Sequence, residues 1–233
     1  NIFKIMIPVE GCSKSHLSHY VEDLRPQTDF YSITSDYVHF NVQCEYGPNY
    51  TRYCRGLLNY TPSKSVVREY SSNSSYPSWN FALITDDEKT LKANAEKIRA
   101  LKYWIGKSSE VKGTVYRGVE LSEHEINKMK AFKFFYIPNF TSTSRKKDKA
   151  FGKNYKLVIN ILDGRFAMDI SKESMFPNEE EVLISCYQAF EFVSQDGNFI
   201  YLNCSYSIHD LRQRRKYEIY DEVRNPKGCT VFQ

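Results

Sequence analysis

The hydrophobic positions of this chain change their period about halfway along. From about residue 63 the pattern is helical, most plainly at Leu91, Ala95, Ile98, Leu101 and Ile105, which fall on one face of a single helix. Ahead of that run, Thr85-Asp86-Asp87-Glu88 reads as a capping box in which threonine and glutamate satisfy each other's amides; behind it, Gly106 reads as a left-handed stop. Ser122 and Glu125 have the spacing of a second capping box, opening a shorter helix. Beyond about residue 131 the pattern turns to short strands. Residues 156–161 are predicted to meet 166–170 across Leu162-Asp163-Gly164-Arg165, and Asp196-Gly197 to join 190–193 to 199–202 as a hairpin. Residues 1–62 hold neither period. The expected organisation is one α+β domain over 1–233, with a poorly readable extension (1–62), a helical lobe (63–110) and a β-rich core (111–233).

Composition narrows the class. Hydrophobic and charged fractions of 41% and 26% are those of a globular protein, so the chain should fold rather than stay disordered. A net charge of +4 is too mild for a duplex-binding surface, and no nucleic-acid partner is expected. The basic run Arg212-Gln213-Arg214-Arg215-Lys216 reads as a solvated face. Cys12, Cys44, Cys54, Cys186, Cys204 and Cys229 form no Cys-x-x-Cys pair, and His16, His19, His39, His124 and His209 show no ligand spacing with them, so no metal is expected. Disulfides are expected instead, in one of fifteen pairings if all six are used. Asn-x-Ser/Thr sites begin at Asn49, Asn59, Asn73, Asn139 and Asn203, the one at Asn139 expected to be unused. Cysteines and sequons together point to a secreted protein or one of the secretory pathway. No stretch approaches a membrane span, and no basic-then-apolar leader stands at Asn1, as expected of a chain processed or trimmed there. A lipid anchor added at a removed tail stays open.

Three segments carry chemistry: Tyr116-Arg117-Gly118, then Phe140-Thr141-Ser142-Thr143-Ser144, then Phe176-Pro177-Asn178-Glu179-Glu180-Glu181-Val182-Leu183. Each alone reads blandly, as a surface arginine, an edge strand and a solvated acidic loop. In this order and with these flanks they resemble the arginine, serine, glutamate signature of mono-ADP-ribosyltransferases. The Glu-x-Glu form belongs to the cholera-toxin-like and vertebrate ecto-enzyme-like class that modifies arginine. The resemblance covers roughly residues 80–195 and implies a β-rich core of two packed sheets with a cleft for NAD, which is the substrate.

In that pattern Glu181 is the catalytic carboxylate. Breaking the glycosidic bond of NAD leaves positive charge on the ribose, and a fixed carboxylate stabilises it. Glu179 would orient the acceptor guanidinium and take its proton. Two residues apart in extended backbone, the two carboxylates would share a face, with Glu180 pointing away. The resemblance implies that Arg117, taken to end a strand, grips NAD phosphates through its fork, with Gly118 beside it. Ser142 would order the cleft around Glu181, Thr143 would lie at the cofactor side or, with Ser144, support the strand, and Phe176 would make an apolar contact with the acceptor. The basic stretch from Arg145 to Lys153, with Phe151, would help clamp NAD. The expected partner is a protein with an accessible arginine, and the enzyme a monomer. The alternatives are an NAD glycohydrolase, with water as acceptor, and a catalytically silent binding module on the same fold.

Overall fold

The computed structural model describes residues 46–108, 111–150 and 153–207. Cys12, Cys44, Cys229, His16, His19, His39, His209, Phe151, the basic run at 212–216 and most of the N-terminal extension lie outside the described residues.

Helices α1 (Pro48–Tyr53), α2 (Ser65–Tyr70), α3 (Ser75–Thr85) and α4 (Glu88–Lys107) form the helical lobe. The amides at the start of α1 are met from far along the chain: Asn49 N and Tyr50 N each donate to the Asp86 carboxylate at 2.8 Å. Asp86 links α3 to α4 in the left-handed conformation (φ 53°), which aspartate tolerates better than most residues. The expected capping box at 85–88 does not form. Thr85 still belongs to α3 and donates its hydroxyl to Phe81 O at 2.9 Å, so the extended Asp87 caps α4 instead, accepting from Thr90 N. Gly106 is not a stop either. Ile105, fully buried, holds the last turn in place, and α4 runs on to Lys107 before an extended Ser108.

The predicted face of α4 is observed, with Leu91, Ile98, Leu101 and Ile105 fully buried and Ala95 partly so. It packs with Tyr70 and Trp79 against Tyr136, Phe140, Met168, Ile170 and Leu183, forming a first core between helices and sheet. A second core lies among Val115, Leu157, Ile159, Phe135, Phe190, Val182 and Ile184, closed by Ile126 and Met129 of α5 (Glu123–Phe132). The capping box of α5, Ser122 with Glu125, is complete.

The strands are β1 (Gly113–Val119), β2 (Phe134–Ile137), β3 (Thr141–Ser144), β4 (Tyr155–Ile161), β5 (Ala167–Asp169), β6 (Glu181–Ile184), β7 (Gln188–Asp196) and β8 (Phe199–Ser207). They form one eight-stranded mixed sheet in the order β2-β7-β8-β4-β1-β3-β6-β5, so the fold is α+β. The join between β1 and β3 is a single register pair, Tyr116 with Ser144. Residues on both sides of it share the second core, which is how one hydrogen-bonded sheet accommodates the two packed layers expected.

The hairpin at Asp196-Gly197 forms, with Gly197 at φ 55° between antiparallel β7 and β8. The one predicted at 162–165 does not. Asp163 accepts from Arg165 N and starts a 3-10 turn over Gly164–Phe166, which sends β5 to the far edge beside β6, while β4 pairs with β1 and β8.

Cys54 and Cys186 are free, buried thiols of the first core, and Cys204 is one of the second. No disulfide joins any two of these three, contrary to the expectation. Among the described residues no helix is long and apolar enough to cross a membrane.

Candidate active site

A pocket of about 270 Å³ opens between the β1–β3 join and helices α2 and α3. It brings together Arg117, Ser142, Phe176, Glu179 and Glu181, with Tyr70, Ser71, Asn73, Tyr76 and Asn80 along the helical side. Five of the predicted site residues, from three separate stretches of chain, thus share one wall-to-wall space.

Arg117 lies inside β1, opposite Leu157, and not at its end. Its Nη1 donates to Ser142 O at 2.7 Å, which stitches β1 to β3 beside their single register pair. Ser142 sits half-buried on β3 and lines the pocket together with Glu181 and Tyr70. Glu181 opens β6 and is only 8% exposed, on the same side of the strand as Leu183 and therefore towards the helical lobe. Burial, chiefly, holds its carboxyl above the usual range. Glu179 nearby acts in the same direction, while Ser142, Arg117 and Ser174 favour the ionised form.

Glu179 reaches the pocket by a different geometry from the one expected. It ends a 3-10 turn, Pro177–Glu179, and Glu180 follows in the left-handed conformation (φ 47°), so Glu179 is presented by a tight turn while Glu181 is presented by the strand that follows it. The proline fixes the start of that turn. Glu180 points outward, as expected, and its carboxylate meets Lys146 Nζ at 2.5 Å. Phe176 is 41% exposed at the mouth.

Two predicted residues stay off the pocket wall. Thr143 is buried on the opposite face of β3, donating to Val182 O at 2.6 Å, and Gly118 is paired with Lys156 within the sheet. Thr143 and Ser144 support the strand instead. Of the basic stretch, Arg145 bonds Asp169 at 3.2 Å and Lys147 lies over the Phe199 ring at 4.3 Å, so these cations are turned to the body of the fold.

The sequence reading missed the helical wall. Asn80 is 3% exposed, accepts from Phe140 N at 3.2 Å and donates to Tyr70 Oη at 3.1 Å, tying α3 to the residue before β3. Tyr70, nearly fully buried, packs edge-on against Phe140 with ring centroids 5.3 Å apart. Tyr76 and Asn80, four apart on α3, were the available signal, but α3 buries Pro77, Trp79, Ala82, Leu83 and Ile84 almost all round, so no amphipathic stripe marks its pocket side. Replacing Asn80 by alanine would orphan a buried amide and a buried hydroxyl, and should cost about 1–3 kcal/mol in a denaturant melt.

Asn139 is 2% exposed and donates to Phe140 O, which leaves no room for a glycan in the folded state. His124 is exposed. Among the described residues no group of three or more His, Cys, Asp or Glu could hold a metal ion.

Fold and pocket together define a cleft lined by both a guanidinium and a buried carboxylate. Residues 69–208, more than half of the chain, match the family model described as NAD:arginine ADP-ribosyltransferase, and the chain belongs to that family. No curated protein matches it. Among solved structures it is similar to an ADP-ribosyltransferase of Clostridium botulinum, with 18% identity over 67% of this chain and 90% of that one and a TM-score of 0.52. The ADP-ribosyltransferase Vis of Vibrio splendidus, solved in complex with agmatine, is 21% identical over 84% of this chain and 86% of its own, with a TM-score of 0.50. HopU1 of Pseudomonas syringae pv. tomato DC3000 is 24% identical with a TM-score of 0.41; the match covers 51% of this chain and spans little more than half of that protein, 56%.

Proposed function

We propose that this protein transfers ADP-ribose from NAD to the guanidinium of arginine side chains on proteins, with release of nicotinamide. The observation that carries the reading is the convergence of Arg117, Ser142, Glu179 and Glu181 on one pocket. The residues suit the ligand: a fixed guanidinium matches a pyrophosphate, and a buried carboxylate matches the positive charge that develops on ribose.

In the proposed reaction the bond between ribose C1′ and the nicotinamide nitrogen breaks, its electron pair leaving with nicotinamide. Glu181, beside Ser142 in the pocket, stabilises the oxocarbenium-like ribose. An acceptor guanidinium nitrogen then bonds C1′ and gives its proton to Glu179. Exposure of Glu179 at the mouth suits a group that must meet a macromolecular acceptor, and Phe176 offers that acceptor an apolar contact. Hydrolysis, with water taking the acceptor's place, is the second reaction open to the same site. Action as a single-domain monomer, outside the cell or in the secretory pathway, belongs to the same proposal.

Labelled NAD incubated with agmatine, a free guanidine, tests the reading directly. ADP-ribosyl-agmatine is the expected product; free ADP-ribose alone would make the protein an NAD glycohydrolase, and neither product would leave a binding module. Arg117→Lys keeps the charge but loses the fork, and should weaken NAD binding about tenfold or more in a calorimetric titration.

A further inference from the structure

Glu180 lies between the two pocket acids yet faces away from them, and its surroundings are specific. Ser144 Oγ donates to Glu179 O at 2.8 Å and accepts from Lys146 N at 3.0 Å. Arg145 N donates to Glu180 O at 3.2 Å, and Lys146 Nζ meets the Glu180 carboxylate at 2.5 Å. These contacts begin where Ser144 is paired with Glu181 in the sheet, so three consecutive residues at the end of β3 and just after it grip the turn that precedes β6. Glu180 itself is held at φ 47° and ψ 49°, a left-handed backbone that residues with a side chain disfavour and that persists where neighbours hold it.

We propose that Ser144, Lys146 and Glu180 form a clasp that sets where Glu179 stands, and so decide how NAD is divided between a guanidine acceptor and water. They are positioning residues; none lines the pocket. The inference rests on the arginine-transfer reading above. Its logic is that Glu181 is fixed by β6 and by burial, whereas Glu179 is exposed at the end of a three-residue turn and depends on whatever pins that turn. An ion pair whose partners are 50% and 40% exposed contributes little to overall stability, so the consequence of breaking it is local.

The test compares wild type with Ser144→Ala, Lys146→Glu, Glu180→Lys and the swap Lys146→Glu/Glu180→Lys, using NAD and agmatine. Adduct and free ADP-ribose are counted separately, and amide hydrogen exchange is followed over residues 176–181. Each single variant should lower the ratio of adduct to free ADP-ribose about tenfold, since small misplacements of a reacting group carry such costs. Total NAD consumption should stay within about threefold of wild type, exchange in the turn should quicken, and the swap should restore both readouts. Unchanged exchange in all three single variants overturns the clasp whatever the activity. So does a parallel fall of adduct and free ADP-ribose, which would show Glu181 displaced as well. Quickened exchange in a protein whose wild type yields no adduct would uphold the clasp and remove the transferase reading instead.

Discussion

Replacing Glu181 by glutamine should lower both arginine transfer and NAD hydrolysis by about 10²–10³ in kcat, the range seen when one preorganised stabilising group is removed from a site. Glutamine keeps the shape of the side chain but loses the charge that would face the ribose. The same substitution should stabilise the fold at neutral pH. Burial raises the folded pKa of Glu181, so folding favours the neutral carboxyl more than the unfolded chain does; its stabilising contribution is fully present below the ordinary carboxylate range, about 4.3, and is lost as pH rises through the raised value. Glutamine is neutral throughout. Its gain in melting temperature should therefore be seen at pH 8 and vanish in acid, while wild-type turnover should rise through that raised pKa as the carboxylate forms. A variant with full turnover, or one destabilised at pH 8, would remove Glu181 from the role assigned to it.

Glu179→Gln should separate the two reactions. Transfer to agmatine should fall about 10²-fold or more, because a guanidinium is a poor nucleophile until it is oriented and relieved of a proton. Hydrolysis should stay within about threefold, since water needs less help to meet an oxocarbenium ion and Glu181 remains in place. Adduct and free ADP-ribose counted from one incubation give both numbers. Equal loss of both reactions would mean that Glu179 serves bond breaking, and the division of labour between the two acids would have to be abandoned.

Much of this site is legible in the sequence because its chemistry sits on strands. Arg117, Ser142 and Glu181 are strand residues whose inward direction follows from alternation, and apolar flanks such as Val182-Leu183-Ile184 announce the strand. Glu179 belongs to the expected pocket but for a different reason from the extended spacing. Nothing in Asn178-Glu179-Glu180 signals a left-handed residue, because the conformation is imposed by Ser144, Arg145 and Lys146, more than thirty residues earlier in the chain. The hairpin expected at 162–165 fails similarly: Asp-Gly favours a tight turn, but whether the next strand returns to its neighbour is settled by which edge is vacant, and β4 is already flanked by β1 and β8. The helical wall is unreadable because α3 is buried on nearly every side.

The two cores carry their own reporters. Cys54 and Cys186 belong to the layer between helices and sheet, Cys204 to the layer inside the sheet, and all three thiols are raised in pKa chiefly by burial. A thiol in that state reacts only when its surroundings open. Peptide-resolved alkylation, timed over hours in native buffer, would thus measure how often each layer comes apart, separately and without any label being engineered. Repeated with NAD present, it would show whether the pocket's ligand quiets the helical side, the inner side or both.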